Sequence, residues 1–311
     1  MSRTLVTAAV DVGGTSIKSA LLADDHRTLL TLRHPTPRHQ GPHAVAQAVA
    51  GAVSELRRLG AEQELDVVRV GVAAPGIIDD DRGHLLYSAN LGLRDEPLAA
   101  RLTDLLSLPV TLSHDVRAAA LAEAALGTTG ARHLLFLALG TGIAGAFITD
   151  GHLVSSDGWA GEIGHLTLSP DGPSCACGGR GCLETLASAH AIALAYTART
   201  GMPVRGAAEV AHRLLDGDPN AREVWAVAVD ALATALAALT TVLGPDAIVI
   251  GGGLAQAGEL LLAPVRDRLE DRLTFHRRPA LVRTVLGDLA GCVGAGLLAK
   301  RAEKIAMETA A

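Results

Sequence analysis

The amino-acid sequence predicts an α/β protein of two lobes around a cleft, each lobe with a β-sheet flanked by helices. One observation behind this prediction is a glycine turn between two apolar strands at Gly13-Gly14, which recurs in the second half of the chain at residues 140–142. A second is the length of 311 residues, which favours two lobes over one. A strand–glycine–strand hairpin in each half indicates that the two lobes are similarly built.

The composition is that of an ordinary globular protein. Hydrophobic residues make up 49% of the chain and charged residues 19%. Aromatic residues make up only 2% and the net charge is −6, so neither base stacking nor a basic face is expected and we predict no nucleic-acid partner. The first residues lack the pattern of a signal peptide, and no run of about 18 uncharged apolar residues occurs. With four cysteines, which suit a reducing compartment, we expect a cytoplasmic protein without a membrane partner.

The first glycine turn lies in the segment DVGGTSIK, residues 11–18, which follows an apolar strand at 5–10 and precedes strands at 19–22 and 28–33. Paired glycines let backbone N–H groups approach an anion closely, so this turn is a candidate phosphate-binding hairpin. The Asp11 carboxylate is a candidate ligand of Mg2+, acting through water because Mg2+ dehydrates reluctantly. A simple tight hairpin is the alternative that the motif by itself leaves open.

The rest of the chain has the hydrophobic pattern of alternating helices and strands. In chain order the pattern predicts a helix at 44–59, a strand at 67–73, a loop with short strand pieces at 77–95, a helix from Pro97, a strand at 110–112, a helix at 117–125, strands at 133–139 and 144–149, a helical region at 186–243, a strand at 247–250, a helix at 258–269, a strand at 282–286 and a helix at 290–300.

Two positions in this pattern are candidates for chemistry. Asp115 lies where the strand at 110–112 passes into a helix, although a carboxylate there is also an ordinary helix N-cap. Residues 251–253 are three glycines between a strand and a helix, which lets a nucleotide lie against bare backbone. A plain loop is the alternative for these glycines.

A cluster of metal-type ligands occupies residues 161–184. His165 is followed by Cys175, Cys177 and Cys182, which together supply the Cys3His set of a closed tetrahedral zinc site. Four protein ligands leave no position for a reacting water, so the predicted zinc is structural. The alternative is a group of buried thiols with a chance histidine. Glu162 and Glu184 flank the cluster, so whatever holds the ligands also orients two carboxylates.

Five motifs occur in the order and spacing of one family: DVGGTSIK, LALGTGIAG, EIGH, CACGGRGCLE and IVIGGG. On these motifs the chain resembles the ROK family of repressors, open reading frames and kinases. The resemblance implies the actin-like ATPase fold of the sugar kinases, with a five-stranded mixed sheet in each lobe and the active site in the cleft. It implies a small lobe at 1–112 with the C-terminal helix 293–311, and a large lobe at 113–292.

The resemblance also implies phosphoryl transfer from ATP, with Mg2+, to O6 of an aldohexose. Asp115 would be the catalytic base, a role that suits the poor nucleophilicity of a primary hydroxyl. The sugar would contact Gly76, Asn90, His114, Asp115, Glu162, His165 and Glu184. The nucleotide would contact Asp11, Gly13, Gly14, Thr15 and Lys18 of the first hairpin, Gly140, Thr141 and Gly142 of the second, and Gly251, Gly252 and Gly253 on the adenosine side.

Two departures from the family pattern bear on the sugar. His114 stands where family kinases commonly have Asn, and Leu93 stands where glucose-type members often have Trp. A missing Trp leaves a roomier wall, so we expect N-acetylglucosamine as the lead substrate, with glucose as the alternative.

Three other functions are alternatives to the kinase. A ROK repressor would need a winged helix before the strand at 5–10, and no room for one is expected. A non-catalytic sugar-sensing ROK protein is the alternative that His114 leaves open, although Asp115, Asp11 and both hairpins together weigh against it. A polyphosphate-dependent enzyme would favour a basic channel. The Ala-rich helical faces lead us to expect a homo-oligomer, a dimer or a tetramer.

Overall fold

The computed structural model describes residues 3–310, which form two compact units. The first unit comprises the described residues up to Leu126, together with Leu153–Ala160 and the chain from Asp288 onward. The second unit comprises Gly127–His152 and Gly161–Gly287. These units differ from the predicted lobes, because residues 113–126 and 153–160 belong to the first unit. The lobe boundaries at residues 112 and 292 stay a prediction.

The described residues form strands and helices in the following order. The strands are β1 (Thr4–Val12), β2 (Ser16–Leu22), β3 (Thr28–Pro35), β4 (Leu65–Ala74), β5 (Ile77–Asp79), β6 (His84–Ser88), β7 (Leu93–Glu96), β8 (Val110–His114), β9 (Leu134–Leu139), β10 (Ile143–Thr149), β11 (His152–Val154), β12 (Ala247–Gly251) and β13 (Ala280–Arg283). The α-helices are α1 (Pro42–Ala61), α2 (Leu98–Leu106), α3 (Asp115–Leu126), α4 (Leu183–Ala187), α5 (Ala189–Thr200), α6 (Ala207–Leu215), α7 (Pro219–Leu243), α8 (Glu259–Arg272) and α9 (Ala290–Ala310).

The sheet of the first unit has the order β3-β2-β1-β4-β8. β1 is antiparallel to β2 and parallel to β4, and β4 is parallel to β8. The carboxyl ends of β1, β4 and β8 therefore meet at one edge of this sheet. Helix α9 packs closely on the sheet, since a Cβ at Gly71 would lie 2.0 Å from the Ala295 carbonyl oxygen. Only glycine at position 71 allows this approach.

Residues 77–96 form a three-stranded antiparallel sheet, β5-β6-β7, where the sequence predicted a loop with short strand pieces. The three strands have only three to five residues each, too short for their alternation to stand out in the sequence. Ile78, Leu85 and Leu93 are buried in the core of the first unit. Burial of these side chains holds the small sheet in place.

The second five-stranded sheet has the order β11-β10-β9-β12-β13, with β12 parallel to both β9 and β13. Its strands β9, β10, β12 and β13 belong to the second unit. The carboxyl ends of β9 and β12 lie at the same edge. The last strand of this sheet, β13, begins two residues before the start of the predicted strand at 282–286 and ends three residues before its end. It pairs Ala247 with Ala280 and Ile250 with Arg283, so the register of β12 sets its bounds. Leu281 supplies the buried contact of this strand.

Helix α7 is the one helix in residues 3–310 with the length and composition to cross a membrane. Its most apolar window has a mean hydropathy of 1.9, and 44% of that window is buried within the structure. Trp225, Val229, Leu232 and Leu236 belong to the core of the second unit. The apolar composition of α7 is therefore explained by the burial of these side chains, as in a core helix.

Candidate active site

Four predicted site residues lie at the carboxyl edge of the sheet in the first unit. Asp11 is the penultimate residue of β1, Gly76 follows β4, and His114 and Asp115 lie where β8 passes into α3. The strand register places Asp11 opposite Ala73, and His114 opposite Ala74. The carboxyl edge of parallel strands is where ligands bind in open α/β sheets. The structure thus brings together candidates that are far apart in sequence.

The Asp115 carboxylate lies in the first turn of α3, with 28% of its side chain exposed. Burial raises the pKa of this carboxyl above its ordinary value, against hydrogen bonding by the Val116 N–H and the charges of Arg117 and Lys18. Its Oδ1 accepts the Val116 N–H at 2.7 Å and lies 3.3 Å from His114 Nε2. A carboxylate with a raised pKa at an accessible position is suited to accept a proton.

Asp11 is nearly buried, with 13% of its side chain exposed. Burial and the negative charge of Asp115 raise the pKa of Asp11 to about 6, while the Lys18 ammonium opposes the rise. Lys18 Nζ lies 3.4 Å from Asp11 Oδ2 and 2.6 Å from Asp288 Oδ1. Burial alone would lower the pKa of Lys18, but the two carboxylates outweigh it and raise that pKa. Sequence reasoning missed Asp288, because no local motif marks it.

The first glycine turn closes through the Gly13 N–H, which donates to the Ser16 carbonyl at 2.9 Å. A Cβ at Gly13 would also lie 2.9 Å from that carbonyl oxygen, so glycine is required for this turn. Thr15 is exposed at the turn. A Cβ at Gly14 would lie 3.7 Å from the Asn90 Cβ, so the exposed Asn90 borders this hairpin. The structure thereby places one predicted sugar residue beside the predicted phosphate residues.

Strand β5, which directly follows Gly76, is held in place by a buried arginine, Arg117, that sequence reasoning also missed. Gly76 has φ of +126°, and a Cβ there would lie 2.2 Å from the Tyr87 carbonyl oxygen. Arg117 is fully buried and donates to the Ile78 carbonyl at 2.9 Å, while its Nε lies 3.1 Å from Asp80 Oδ2. Arg117 therefore fixes β5, directly after Gly76, to the helix that begins with Asp115.

Leu93 does not form an open wall. Its side chain is 2% exposed and packs in the core of the first unit. A leucine at this position therefore fills the core and does not by itself provide room for a larger sugar. This corrects the inference drawn from the missing Trp, because tertiary packing decides which way residue 93 points.

In the second unit, one ligand atom from each of His165, Cys175, Cys177 and Cys182 lies within 4.8 Å of the other three. Cys175 Sγ lies 3.6 Å from His165 Nδ1, and Cys177 Sγ lies 3.7 Å from Cys182 Sγ. A zinc tetrahedron with Zn–S of about 2.3 Å and Zn–N of about 2.0 Å has S···N edges of about 3.6 Å and S···S edges of about 3.8 Å. The residues present therefore fit a closed tetrahedral metal site.

His165 lies between the thiols and a carboxylate. Its Nδ1 is on the side of Cys175, and its Nε2 lies 3.8 Å from Glu162 Oε2. Glu162 is exposed and His165 is half-buried. With Nδ1 directed to the cluster, Nε2 is on the side from which a polar ligand can be bound.

The second glycine turn joins β9 to β10, and the Gly140 N–H donates to the Gly142 carbonyl at 2.9 Å. Glu184 Oε2 accepts the Ile143 N–H at 2.8 Å. The Ala189 N–H donates to the Gly140 carbonyl at 2.9 Å. Thr141 is exposed at the tip. Two contacts from residues 184–189 therefore hold this hairpin.

The three glycines at the end of β12, of which Gly251 is the last residue of the strand, lie at the same sheet edge as the second hairpin. A Cβ at Gly251 would lie 2.6 Å from the Phe136 ring, and Gly252 has φ of +81° with its Cβ position 2.4 Å from the Leu139 carbonyl oxygen. Packing alone therefore requires glycine at 251 and 252. A Cβ at Gly253 would meet no atom within 4 Å. Gly253 is the position where bare backbone is open to a ligand.

The model of the ROK family matches residues 7–302 of this chain. The chain belongs to the ROK family. Glucokinase of Halalkalibacterium halodurans is 35% identical to it over 94% of each chain. The N-acetylmannosamine kinase of Escherichia coli is 31% identical, over 95% of this chain and 99% of that protein.

The fold agrees with a solved ROK structure. The crystal structure of a ROK family glucokinase from Streptomyces griseus in complex with glucose and AMPPNP is 32% identical, with a TM-score of 0.80, over 95% of this chain and 99% of its own. The two five-stranded mixed sheets of this ROK protein therefore have the actin-like ATPase fold. The family and the fold class predicted from the five motifs are confirmed.

Proposed function

We propose that this ROK protein is an ATP-dependent sugar kinase, which transfers the γ-phosphoryl group to O6 of an aldohexose. The observation that carries the proposal is the partly exposed Asp115 carboxylate, with a raised pKa, at the sheet edge that also bears Asp11 and the first glycine hairpin. The family membership supports the same reaction class, as do the relatives, which are named as a glucokinase and an N-acetylmannosamine kinase.

In the proposed reaction the O6 oxygen forms a bond to the γ-phosphorus while the bond from that phosphorus to the β,γ-bridging oxygen breaks. The proton of the O6 hydroxyl passes to an Asp115 carboxylate oxygen, and ADP leaves with the electron pair of the broken bond. His114 Nε2, 3.3 Å from Asp115 Oδ1, orients the carboxylate as it takes the proton. This proton acceptance is the part of catalysis that Asp115 supplies.

Catalysis also requires that the phosphates of ATP are positioned and their negative charge is neutralised. The N–H groups of Gly14 and Thr15 in the first hairpin, and of Thr141 and Gly142 in the second, would bind phosphate oxygens, because the Gly13 and Gly140 N–H groups already donate within their own turns. Mg2+, when bound with ATP, neutralises charge on the transferring group, and Asp11 would hold it through water. One nearly buried carboxylate fits this ion, which takes few direct protein ligands.

We further propose that the Cys3His cluster holds a structural zinc ion. Its ligand distances fit the tetrahedron, and burial together with the neighbouring thiols of Cys177 and Cys175 raises the pKa of Cys182 to about 12. A cation would therefore be needed for all three thiolates to coexist. The role proposed for the cluster is to hold Glu162, His165 and Glu184 for hydrogen bonds to sugar hydroxyls. The four cysteines form no disulfide in the described residues, which also suits a cytoplasmic enzyme.

Glucose and N-acetylhexosamines are the two proposed acceptor classes. Two relatives with similar sequence identity to this chain are named as a glucokinase and as an N-acetylmannosamine kinase. The expectation of an amino sugar rests on the missing Trp at position 93, and the burial of Leu93 removes that argument. His114, in place of the usual asparagine beside the base, bears on the choice of sugar without favouring either class. We therefore propose N-acetylglucosamine and glucose as equally supported candidates for the sugar substrate.

A panel of glucose, mannose, N-acetylglucosamine and N-acetylmannosamine, each assayed with MgATP for ADP release, tests the proposal. We expect turnover of at least one sugar and a sugar 6-phosphate product by NMR. His114→Asn should change the ratio of kcat/KM values between sugars more than the KM for ATP. Glucose preferred by tenfold or more would overturn the amino-sugar candidate, and no turnover of any hexose would overturn the kinase.

A further inference from the structure

Glu184 makes a contact that a sugar-binding role does not explain. Its Oε2 accepts the backbone N–H of Ile143 at 2.8 Å, at the point where the second glycine hairpin enters β10. A Cβ on Gly142 would lie 2.4 Å from the same oxygen, so the carboxylate occupies the space that a side chain at 142 would need. The absence of a side chain at 142 is therefore what lets the carboxylate reach the hairpin.

The segment that carries Glu184 contacts both ends of the hairpin. At its far end the Ala189 N–H donates to the Gly140 carbonyl at 2.9 Å. At the other end of the hairpin, Glu184 accepts the Ile143 N–H. The segment itself is anchored at its start, where Cys182 is 1% exposed and its carbonyl accepts the Thr185 N–H at 2.9 Å. A carboxylate hydrogen-bonded to a backbone N–H is a strong restraint, because the charged acceptor makes the bond stronger than a neutral one.

We infer that Glu184 is the positioning residue of the second phosphate hairpin, so that the affinity for nucleotide depends on it independently of any contact with sugar. This inference rests on the proposed kinase function, because it assumes that residues 140–142 bind phosphate. Glu184 holds Ile143 and thereby sets the direction of the N–H groups at the turn. Misdirected N–H groups bind phosphate less well, which raises the dissociation constant for nucleotide.

Three variants separate this role from contact with sugar. Glu184→Ala removes the acceptor, and Gly142→Ala displaces the carboxylate without changing it. Glu184→Gln keeps an acceptor oxygen at the same reach. Glu223→Ala, exposed on α7 of the same unit, controls for loss of one glutamate.

The measurement is the dissociation constant for MgAMPPNP without sugar, by calorimetry, with hydrogen exchange of the Ile143 amide by NMR in each variant. We expect Glu184→Ala and Gly142→Ala to raise the dissociation constant by about tenfold and to speed exchange of this amide. Glu184→Gln should stay within about threefold of wild type in both measurements, since the acceptor is kept. Glu223→Ala should leave both unchanged.

Two results overturn the inference and are distinguishable from a failure of the proposed function. If Glu184→Ala binds MgAMPPNP as tightly as wild type and affects only the KM for sugar, Glu184 does not position the hairpin. If Glu184→Gln weakens nucleotide binding as much as Glu184→Ala does while the Ile143 amide exchanges at the wild-type rate, the charge of Glu184 acts on the nucleotide and the hydrogen bond to Ile143 does not. A wild-type protein that binds no MgAMPPNP would instead contradict the kinase itself.

Discussion

Lys18 and Asp288 are 270 positions apart in the chain, and Lys18 Nζ donates to Asp288 Oδ1 at 2.6 Å. Asp288 also accepts from Arg33 of β3, and Lys18 reaches Asp11 on its other side. The four side chains therefore form a row of alternating charge, Arg33, Asp288, Lys18 and Asp11, which ends at the carboxylate proposed to hold Mg2+ through water. Lys18 is the cation that keeps two carboxylates together in one small region.

Replacing Lys18 tests this row of charges. Lys18→Met leaves Asp11 nearly buried without its cation, so we expect a loss of about 1–3 kcal/mol in the free energy of unfolding. Asp288→Asn should cost less than about 1 kcal/mol, because the Asp288 side chain is 64% exposed and solvent screens its charge. Urea unfolding at pH 7 of both single variants and the double variant measures the coupling. Additive effects would show that Lys18 and Asp288 act independently.

Replacing Asp115 tests the proton acceptor. Asp115→Asn keeps the shape and the acceptor for the Val116 N–H but loses basicity, so kcat should fall by about a thousandfold while the sugar dissociation constant changes little. Steady-state assays with calorimetric sugar binding give the two numbers. Asp104→Asn, on the exposed face of α2, is the matched control and should keep full activity. Near wild-type turnover in Asp115→Asn would leave this residue as a helix cap only.

The raised pKa of Asp11 predicts a pH dependence of stability. Its folded-state pKa of about 6 lies above the ordinary value of 3.8, so the folded protein binds the proton more tightly than the unfolded chain does. By linkage the contribution of Asp11 to stability is greatest below about pH 4 and is lost as the pH rises through about 6. The two pKa values correspond to a difference of up to about 3 kcal/mol.

Asp11→Asn should therefore raise Tm at pH 7 and leave Tm unchanged near pH 4, although it should also weaken binding of MgATP. Thermal unfolding from pH 4 to pH 8 measures this difference. Asp66→Asn, at an exposed position of β4, controls for the loss of one negative charge. An equal shift of Tm at both pH values would contradict burial as its cause.

The metal cluster predicts about one zinc ion per chain by elemental analysis of purified protein. Cys177→Ser should lose most of this metal and lower Tm, because binding energy of a structural metal is also folding energy. Cys292→Ala is the matched control, since this fourth cysteine is buried in the first unit and lies outside the cluster. It should keep the metal content of wild type. Active protein with no bound metal would rule out the zinc site.

Several features could be predicted from the sequence because their residues are close along the chain. The Cys3His set spans residues 165–182, and each glycine turn spans a few positions, so covalent spacing alone brings these groups together. Asp115 was found because the end of an apolar strand leads directly into a helix. For the same reason the five motifs were sufficient to predict the ROK family and its fold.

The tertiary structure determined the contacts between residues that are far apart in the chain. Lys18 meets Asp288, Arg117 meets Asp80, and Glu184 meets Ile143 only after strands and helices have packed. The burial of Leu93 and the start of β13 at Ala280 also depend on pairing with neighbouring strands. Side-chain direction alternates along a strand, so the register chosen in the folded sheet determines whether a residue faces the core or a ligand. That register is set by contacts between segments far apart in the chain, and a local pattern does not specify it.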